Sequence, residues 1–492
     1  MVIHNQGRGL RLSRSSQRGQ QFPTHHQLLA TTTARIQASL DAIIVPASRP
    51  AVNLDQAIML ARKLRCHLVV LCSLKARASE VNELLALRNF TEAIVVDLPD
   101  GYVLPELDLA TSARTSLGLP DSCVNPNGDL SVKRNIGLLL ARMMGWQRIF
   151  FLDDDIRDLY SSDLREVAMM LGPCDAVGMR ATEFPDNSVV CHGNRVTGGY
   201  QDIFVSGSVL AVYCANSVAF FPEVYNEDWF FFYRTAAARR LGRYGRDATQ
   251  LRYDPFADPQ RAAGQEFGDI MAEGLYGLLH QRAGLANATA GYWQAFLDAR
   301  MSFLDGVSAR AGLIDPDLGQ RIASSVNAAM DWCQKIEPAM CEHYIAIWQQ
   351  DLVAWERRLK SVPTGLAAEA ALGQLDLVPA VAGLHELPCI IGSGRSGVPG
   401  PAPEMTSLAA PGGDASGRGI IGRTGRRARE LALRVLLAEE PGRGVGVSRI
   451  REGDPLVAGR QRKPPELHFA GPDNSEQSVP TSQQPISCPA RG

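Results

Sequence analysis

A chain of 492 residues, 45% hydrophobic and 21% charged, is long enough to bury one large core or two ordinary ones. Its formal net charge of −2 removes any reason to expect nucleic acid as an overall partner. Its ten cysteines include no CxxC pair, and Cys66, Cys72 and Cys214 fall in apolar runs, which reads as reduced, buried thiols and not as a disulfide framework or a zinc site.

Residues 1–40 are rich in Gln, Ser, Thr and Arg, with no acidic residue before Asp41, the composition of a flexible leader. No apolar core of a secretory signal follows its arginines. From residue 41 the texture changes. "AIIVPA" (42–47), "HLVVLC" (67–72), "EAIVVDL" (92–98) and "RIFFLDD" (148–154) predict strands, with helices at "LDQAIMLARKL" (54–64) and "VKRNIGLLLARMMG" (132–145). Strands that are continuously apolar belong to a parallel sheet covered on both faces. Residues 175–222 add further strands, with turns at "FPDNS" and "TGGY". The uncharged stretch "VSGSVLAVYCANSVAFF" (205–221) is too short and too polar to span a bilayer. From about 262 to 360 the pattern is helical, and apolar spacing in "QEFGDIMAEGLYGLL" assigns Glu266 and Asp269 to a solvated face. After Pro363 and a short Ala/Leu run, a Gly, Pro, Arg and Ser composition predicts a largely disordered tail from about residue 390, apart from one helix at 426–440. The expected organisation is a leader (1–40), a sheet domain (41–260), a helical extension (261–362) and the tail (363–492). The expected setting is cytoplasmic and soluble, with peripheral membrane contact left open.

Asp153, Asp154 and Asp155 follow the fourth strand directly. Two carboxylates at the roughly 6–7 Å spacing of alternate strand residues repel by about 2–3 kcal/mol at an effective dielectric of 20. An extended backbone would aim Asp153 and Asp155 to one side and Asp154 to the other. Two carboxylates on one side suit Mg²⁺ or Mn²⁺, whose charge cancels the repulsion and bridges to substrate phosphates. The plain alternative is a solvated acidic turn. Position weighs against it, because ligands of open α/β sheets bind at the carboxyl ends of central strands.

Three families place aspartates in this way. Haloacid dehalogenase-type phosphatases want Thr or Val where this chain has Arg157. Terpene synthases use DDxxD, matched by "DDIRD" (154–158), but they are all-helical. "VKRNIGLLLARMMGWQRIFFLDDDI" (132–156) resembles the family 2 glycosyltransferases, in which an Arg-Asn-x-Gly helix leads into a strand ending in a DxD motif. "AIIVPASRP" (42–50) is similar to that family's first strand and nucleotide-facing loop. "VSGSVLAVYCANSVAFFPEVYNEDWFFFYRTAAARRLG" (205–242) is similar to its acceptor segment with a Glu-Asp pair. The resemblance covers roughly residues 41 to 245.

It implies a GT-A fold, a Rossmann-like α/β architecture with a mostly parallel sheet sandwiched by helices. It also implies transfer of a sugar from a nucleotide-diphosphate donor to an acceptor of unknown kind, assisted by Mn²⁺ or Mg²⁺. Mapped onto this chain, Asp155 holds the cation, and Asp153 and Asp154 share ribose and metal contacts. Pro46, Ala47 and Arg49 shape the nucleotide loop, and Arg134 adds positive charge near the diphosphate, its plain alternative being surface solvation. Asp228 is the general base of an inverting reaction, with Glu227 and Trp229 toward the acceptor. An ordinary acidic pair at a helix start is the alternative for Glu227 and Asp228. His280 is the candidate third metal ligand, with Asp254 a weaker one. The chain departs from the family after its second strand, where Cys72, Ser73 and Lys75 replace acidic residues that read the base. Two other functions compete: a nucleotidyltransferase, which would want a glycine-rich loop that "PASRPAVNLD" lacks, and a non-catalytic scaffold with an exposed acidic cluster.

Overall fold

The computed structural model describes residues 2–5, 10–13, 25–112, 128–184, 186–201, 205–216 and 218–380. Strands β1 (Val2–Asn5) and β2 (Leu10–Ser13) pair antiparallel. The seven-stranded sheet is built from β3 (Ala42–Ala47), β4 (His67–Cys72), β5 (Ala93–Asp97), β6 (Arg148–Leu152), β8 (Ala176–Gly178), β10 (Val209–Tyr213) and β11 (Leu241–Arg243). Its order is β11-β8-β10-β6-β3-β4-β5, and β7 (Ile156–Arg157), β9 (Ala181–Thr182) and β12 (Ala248–Gln250) form a separate three-stranded sheet. β3 lies parallel to β4 with Ala42 opposite His67, and parallel to β6 with Ala42 opposite Ile149. Only β10 runs against its neighbours, with Val209 opposite Leu152 and Leu210 opposite Gly178. Continuous burial along β3, β4 and β6 explains the unbroken apolar runs, since both faces are covered. A seven-stranded sheet is incompatible with the all-helical terpene synthase reading of "DDIRD".

One face of the sheet (Ile44, Val69, Phe151, Leu210) shares a core with α3 (Leu130–Met144) and the later helices. The other face (Ile43, Val45, Phe150, Val209) packs with α1 (Asp55–Leu64), α2 (Ala78–Leu87) and α4 (Ser161–Met170). Gly137 of α3 lets that helix sit down on the sheet. A Cβ there would lie 2.9 Å from the Phe151 ring and 3.0 Å from Ile44 Cδ1. The glycine of "RNIG" is thus a packing residue, and it brings Lys133 and Arg134, one turn earlier, over the ends of β3 and β6. Gly145 ends α3 at φ 76, the left-handed cap that glycine adopts without strain.

The helical block comprises α7 (Pro259–His280), α8 (Ala290–Ala311), α9 (Pro316–Cys333) and α10 (Pro338–Ser361), preceded by α5 (Val189–Val196) and α6 (Glu227–Ala237). Asp258, Thr289 and Asp315 cap α7, α8 and α9 by accepting backbone N–H groups. The solvated face expected on α7 is a buried one instead. Glu266 and Asp269 are fully buried, because Arg300 of α8 bonds both of them and Glu273. Amphipathic spacing finds the apolar stripe but not an arginine on another helix that takes carboxylates into the core.

The ends of the chain differ from the expected boundaries. His25 and Leu28, inside the predicted leader, are buried. Residues past 363 form α11 (Ala368–Gly373), Leu372 and Leu375 are fully buried, and Ala380 donates its N–H to the Val95 carbonyl. The helix expected at 426–440 lies outside the described residues. No helix among the described residues is long and apolar enough to cross a membrane.

Candidate active site

The chain runs β3, β4, β5 outward to one edge, then returns to place β6 on the other side of β3. Such a reversal opens a crevice at the carboxyl ends of the two central strands. The loop after β3 and the turn after β6 meet there. Asp154 accepts the backbone N–H groups of Ser48 and Arg49, each at 2.7 Å, and the Arg49 guanidinium bonds both Asp154 and, at 3.0 Å, Asp155. Asp155 Oδ2 also accepts from Gln250 Nε2 at 3.1 Å, while among the described residues no protein donor reaches Oδ1.

The expected alternation of the triplet does not hold. Strand β6 ends at Leu152, and Ile156 donates back to the Asp153 carbonyl, closing a turn. Within that turn Asp154 and Asp155 share Arg49, and Asp153 faces Arg134 instead. Alternation is a property of extended backbone and stops where the strand does.

Arg134 is 2% exposed and spans two segments, bonding Asp153 Oδ1 and Oδ2 at 3.1 Å each and Glu227 Oε1 on α6. Its surface-solvation alternative is thereby overturned. The guanidinium also lies 5.4 Å from the Phe221 ring centroid. Asp228 Oδ2 accepts the Gly207 N–H at 2.8 Å and Oδ1 accepts the Trp229 N–H at 3.0 Å. Gly207 has to be glycine for this approach, because a Cβ would stand 2.7 Å from Asp228 Cβ.

Arg49, Arg134, the three aspartates, Glu227 and Asp228 line one cavity of about 330 Å³, as does Pro46. Its wall carries seven carboxylates (Asp129, Asp153, Asp154, Asp155, Asp186, Glu227, Asp228) against four cationic side chains (Arg49, Lys133, Arg134, Arg180). Burial pushes the Asp153 carboxyl up to about 6, with Arg134 opposing and the Asp155 charge adding to the rise. Burial likewise raises Glu227 to about 7 against the pull of Arg134. Asp228 is raised by burial, with Arg134 and the Gly207 and Trp229 N–H groups opposing.

Of the other expected site residues, Trp229 is on the cavity wall, and Ala47, His280 and Asp254 are not. Ala47 is buried and contributes only its carbonyl, which accepts from Lys133 Nζ at 2.8 Å. The Trp229 ring is mostly core: it is 2% exposed, with its centroid 4.4 Å from that of His25 and 4.8 Å from that of Tyr276. His280 does not line the cavity; it ends α7, near His25, which burial and then the His280 charge hold down to about 3. Asp254 pairs with Arg321, away from the cavity. After the second strand Cys72 is buried, and Ser73 Oγ accepts from Lys133 at 2.6 Å.

Sequence reasoning missed Lys133, which is buried, pairs with Asp129 at 3.0 Å and has its pKa lowered by burial. The signal was present, since Lys133 adjoins Arg134 in "VKRNIG". It also missed Asn187 and Asn226, both on the cavity wall. A second group, Cys191, Asp269 and Glu273, has ligand atoms within 4.8 Å of one another. Arg300 already bonds both carboxylates there, which gives them a buried cationic partner.

No family model and no curated protein matches the chain. Among solved structures it is similar to the mannosyltransferase PcManGT from Pyrobaculum calidifontis, in complex with GDP-Man and Mn²⁺. That match has 10% identity and a TM-score of 0.31, over 67% of this chain and 89% of the other. A likeness so distant carries no weight on function, which is therefore read from the cavity alone.

Proposed function

We propose that the protein moves a sugar from a nucleoside-diphosphate sugar to a hydroxyl acceptor with inversion at the anomeric carbon. One observation carries this reading: the aspartate turn after β6 and the Glu227–Asp228 pair at the start of α6, far apart in sequence, line a single cavity at the switch point of the sheet.

The cavity chemistry fits a divalent cation. Carboxylates outnumber cationic side chains, and Asp155 Oδ1 has no protein donor among the described residues. Asp155, with Asp153 nearby, would hold the ion, and Asp154 is taken up in clasping the β3 loop. When bound, the cation would supply Lewis-acid stabilisation of charge on a departing diphosphate. Arg49, with a side chain 45% exposed, is free at one edge to turn toward phosphate oxygens.

Asp228 is the proton acceptor in this scheme. Its oxygens are fixed by two backbone N–H groups, each of which leaves a lone pair available for an acceptor hydroxyl. Burial raises its pKa, which makes it a stronger base than an exposed aspartate. Arg134 links the two halves of the site by holding Asp153 and Glu227 at once.

A nucleotidyltransferase would need a mobile glycine-rich loop after β3, and here that loop is tied to Asp154. A scaffold with an exposed acidic cluster is disfavoured by 3% and 4% exposure of Asp154 and Asp155. The test is titration calorimetry of the full chain with Mn²⁺ and a panel of nucleotide sugars, beside a release assay for nucleoside diphosphate. Metal-dependent binding that disappears in Asp155→Ala supports the reading. Absence of any metal-dependent nucleotide binding overturns it.

A further inference from the structure

The cavity wall beside Asp228 carries two side-chain amides whose direction is set from behind. Asn226 Nδ2 donates to Asp269 Oδ1 at 2.7 Å, and Asn187 Nδ2 donates to the same oxygen at 3.2 Å and to Glu273 Oε1 at 3.0 Å. An Asp269 carboxylate only accepts, so both amide nitrogens must face it and both amide oxygens must face away. Arg300 secures the arrangement, bonding Asp269 Oδ2 and Glu273 Oε2, each at 2.9 Å, and leaving Oδ1 and Oε1 turned toward the asparagines. All of these charged groups are essentially without solvent exposure. Burying them is costly unless each is bonded in a fixed geometry, which makes the network a rigid backing.

The backing reaches the site through close contact. A Cβ at Gly268 would stand 2.2 Å from the Tyr225 carbonyl oxygen, so α7 lies directly under the residue preceding Asn226. Asn226 itself has φ 61, a left-handed conformation that asparagine tolerates better than most residues. It stands immediately before Glu227 and Asp228. Among the described residues Asn226 Oδ1 receives no hydrogen bond, and Asn187 Oδ1 receives only Gln201 Nε2, at a long 3.4 Å.

A neutral carbonyl oxygen held in one direction accepts from an O–H and repels a phosphate oxygen. We propose that Asn187 and Asn226 recognise hydroxyl groups of the transferred sugar, their amide oxygens kept facing the cavity by the buried Asp269–Glu273–Arg300 network. This assignment rests on the glycosyltransferase reading above.

Asn226→Gly tests it, because glycine keeps the left-handed backbone without strain and removes the amide. Calorimetry in the presence of Mn²⁺ compares UDP-glucose with UDP and GDP-mannose with GDP, on the full chain, with thermal melting recorded alongside. The expected result is a loss of about tenfold in affinity for whichever sugar nucleotide the native protein binds, with the matching free diphosphate within about twofold. Equal loss for both, or unchanged sugar-nucleotide affinity, overturns this inference and leaves the proposed function standing. Failure of the native protein to bind any nucleotide or nucleotide sugar, these four and the wider panel above included, overturns both. Should Asn226→Gly not fold, Asn187→Ala, away from the α6 cap, is held to the same comparison.

Discussion

Replacing Arg134 with methionine is the most searching perturbation of the site. The guanidinium is 2% exposed and holds Asp153 and Glu227 together, so its loss strands two buried carboxylates. Removing one partner of a buried ion pair costs about 3–5 kcal/mol. With an unfolding entropy of about 2.1 cal/mol/K per residue over roughly 340 described residues, that corresponds to a melting temperature lower by about 4–7 °C. The cost must depend on pH in a known direction. In the native fold Asp153 and Glu227 already sit at about 6 and about 7, above their ordinary values. Between their ordinary values and these the folded state therefore binds more protons than the unfolded state, so their contribution to stability is fully present at lower pH and is lost as pH rises through 6 to 7. Arg134 opposes both shifts, so its removal raises both pKa values further and extends that loss to higher pH. Melting followed by circular dichroism at pH 5 and pH 8 should show a small deficit for Arg134→Met at pH 5 and a large one at pH 8. A deficit below 1 °C at pH 8, or one equal at the two pH values, would refute the bridging role.

The remaining expectations concern single groups. Asp228→Asn keeps the side-chain shape and can accept from only one of Gly207 and Trp229, and it removes the base; sugar transfer should fall by about 10²–10⁴-fold while nucleoside diphosphate binding holds, as read by product formation and calorimetry. Gly207→Ala should destabilise by about 1–3 kcal/mol, because its Cβ would crowd Asp228 Cβ at 2.7 Å and Arg134 Nη1 at 3.0 Å; a melting temperature equal to the native one would contradict this. Cys66, Cys72, Cys174, Cys191, Cys333 and Cys341 are buried, with thiol pKa values raised mainly by burial. A thiol reagent at pH 8 should therefore reach no more than four of the ten cysteines before denaturant is added.

Much of the framework was legible without coordinates. The apolar runs at 42–47, 67–72 and 148–152 are strands of the central sheet, and the helices at 55–64 and 130–144 lie within two residues of their expected limits. Residues 368–380, at the start of the expected tail, are packed structure. Val95 and the core beneath α11 give residues 368–380 a place to pack that composition does not reveal. Among the site residues, Asp153, Asp155, Glu227 and Asp228 come together in one cavity, and His280 and Asp254 do not join them. A histidine in an apolar helix carries no local mark of what faces it, and here it faces His25.

The order of amino acids by itself set the parallel strands, the acidic turn at the end of one of them and the acidic start of α6, because each depends on residues within a few positions of one another. Tertiary structure alone decided which charge meets which. Arg134 joins Asp153 to Glu227, Arg49 crosses to Asp154 and Asp155, and Arg300 draws Glu266, Asp269 and Glu273 out of water. A buried charge is tolerated only with a partner, and that partner is chosen by distance in space, which local periodicity does not encode.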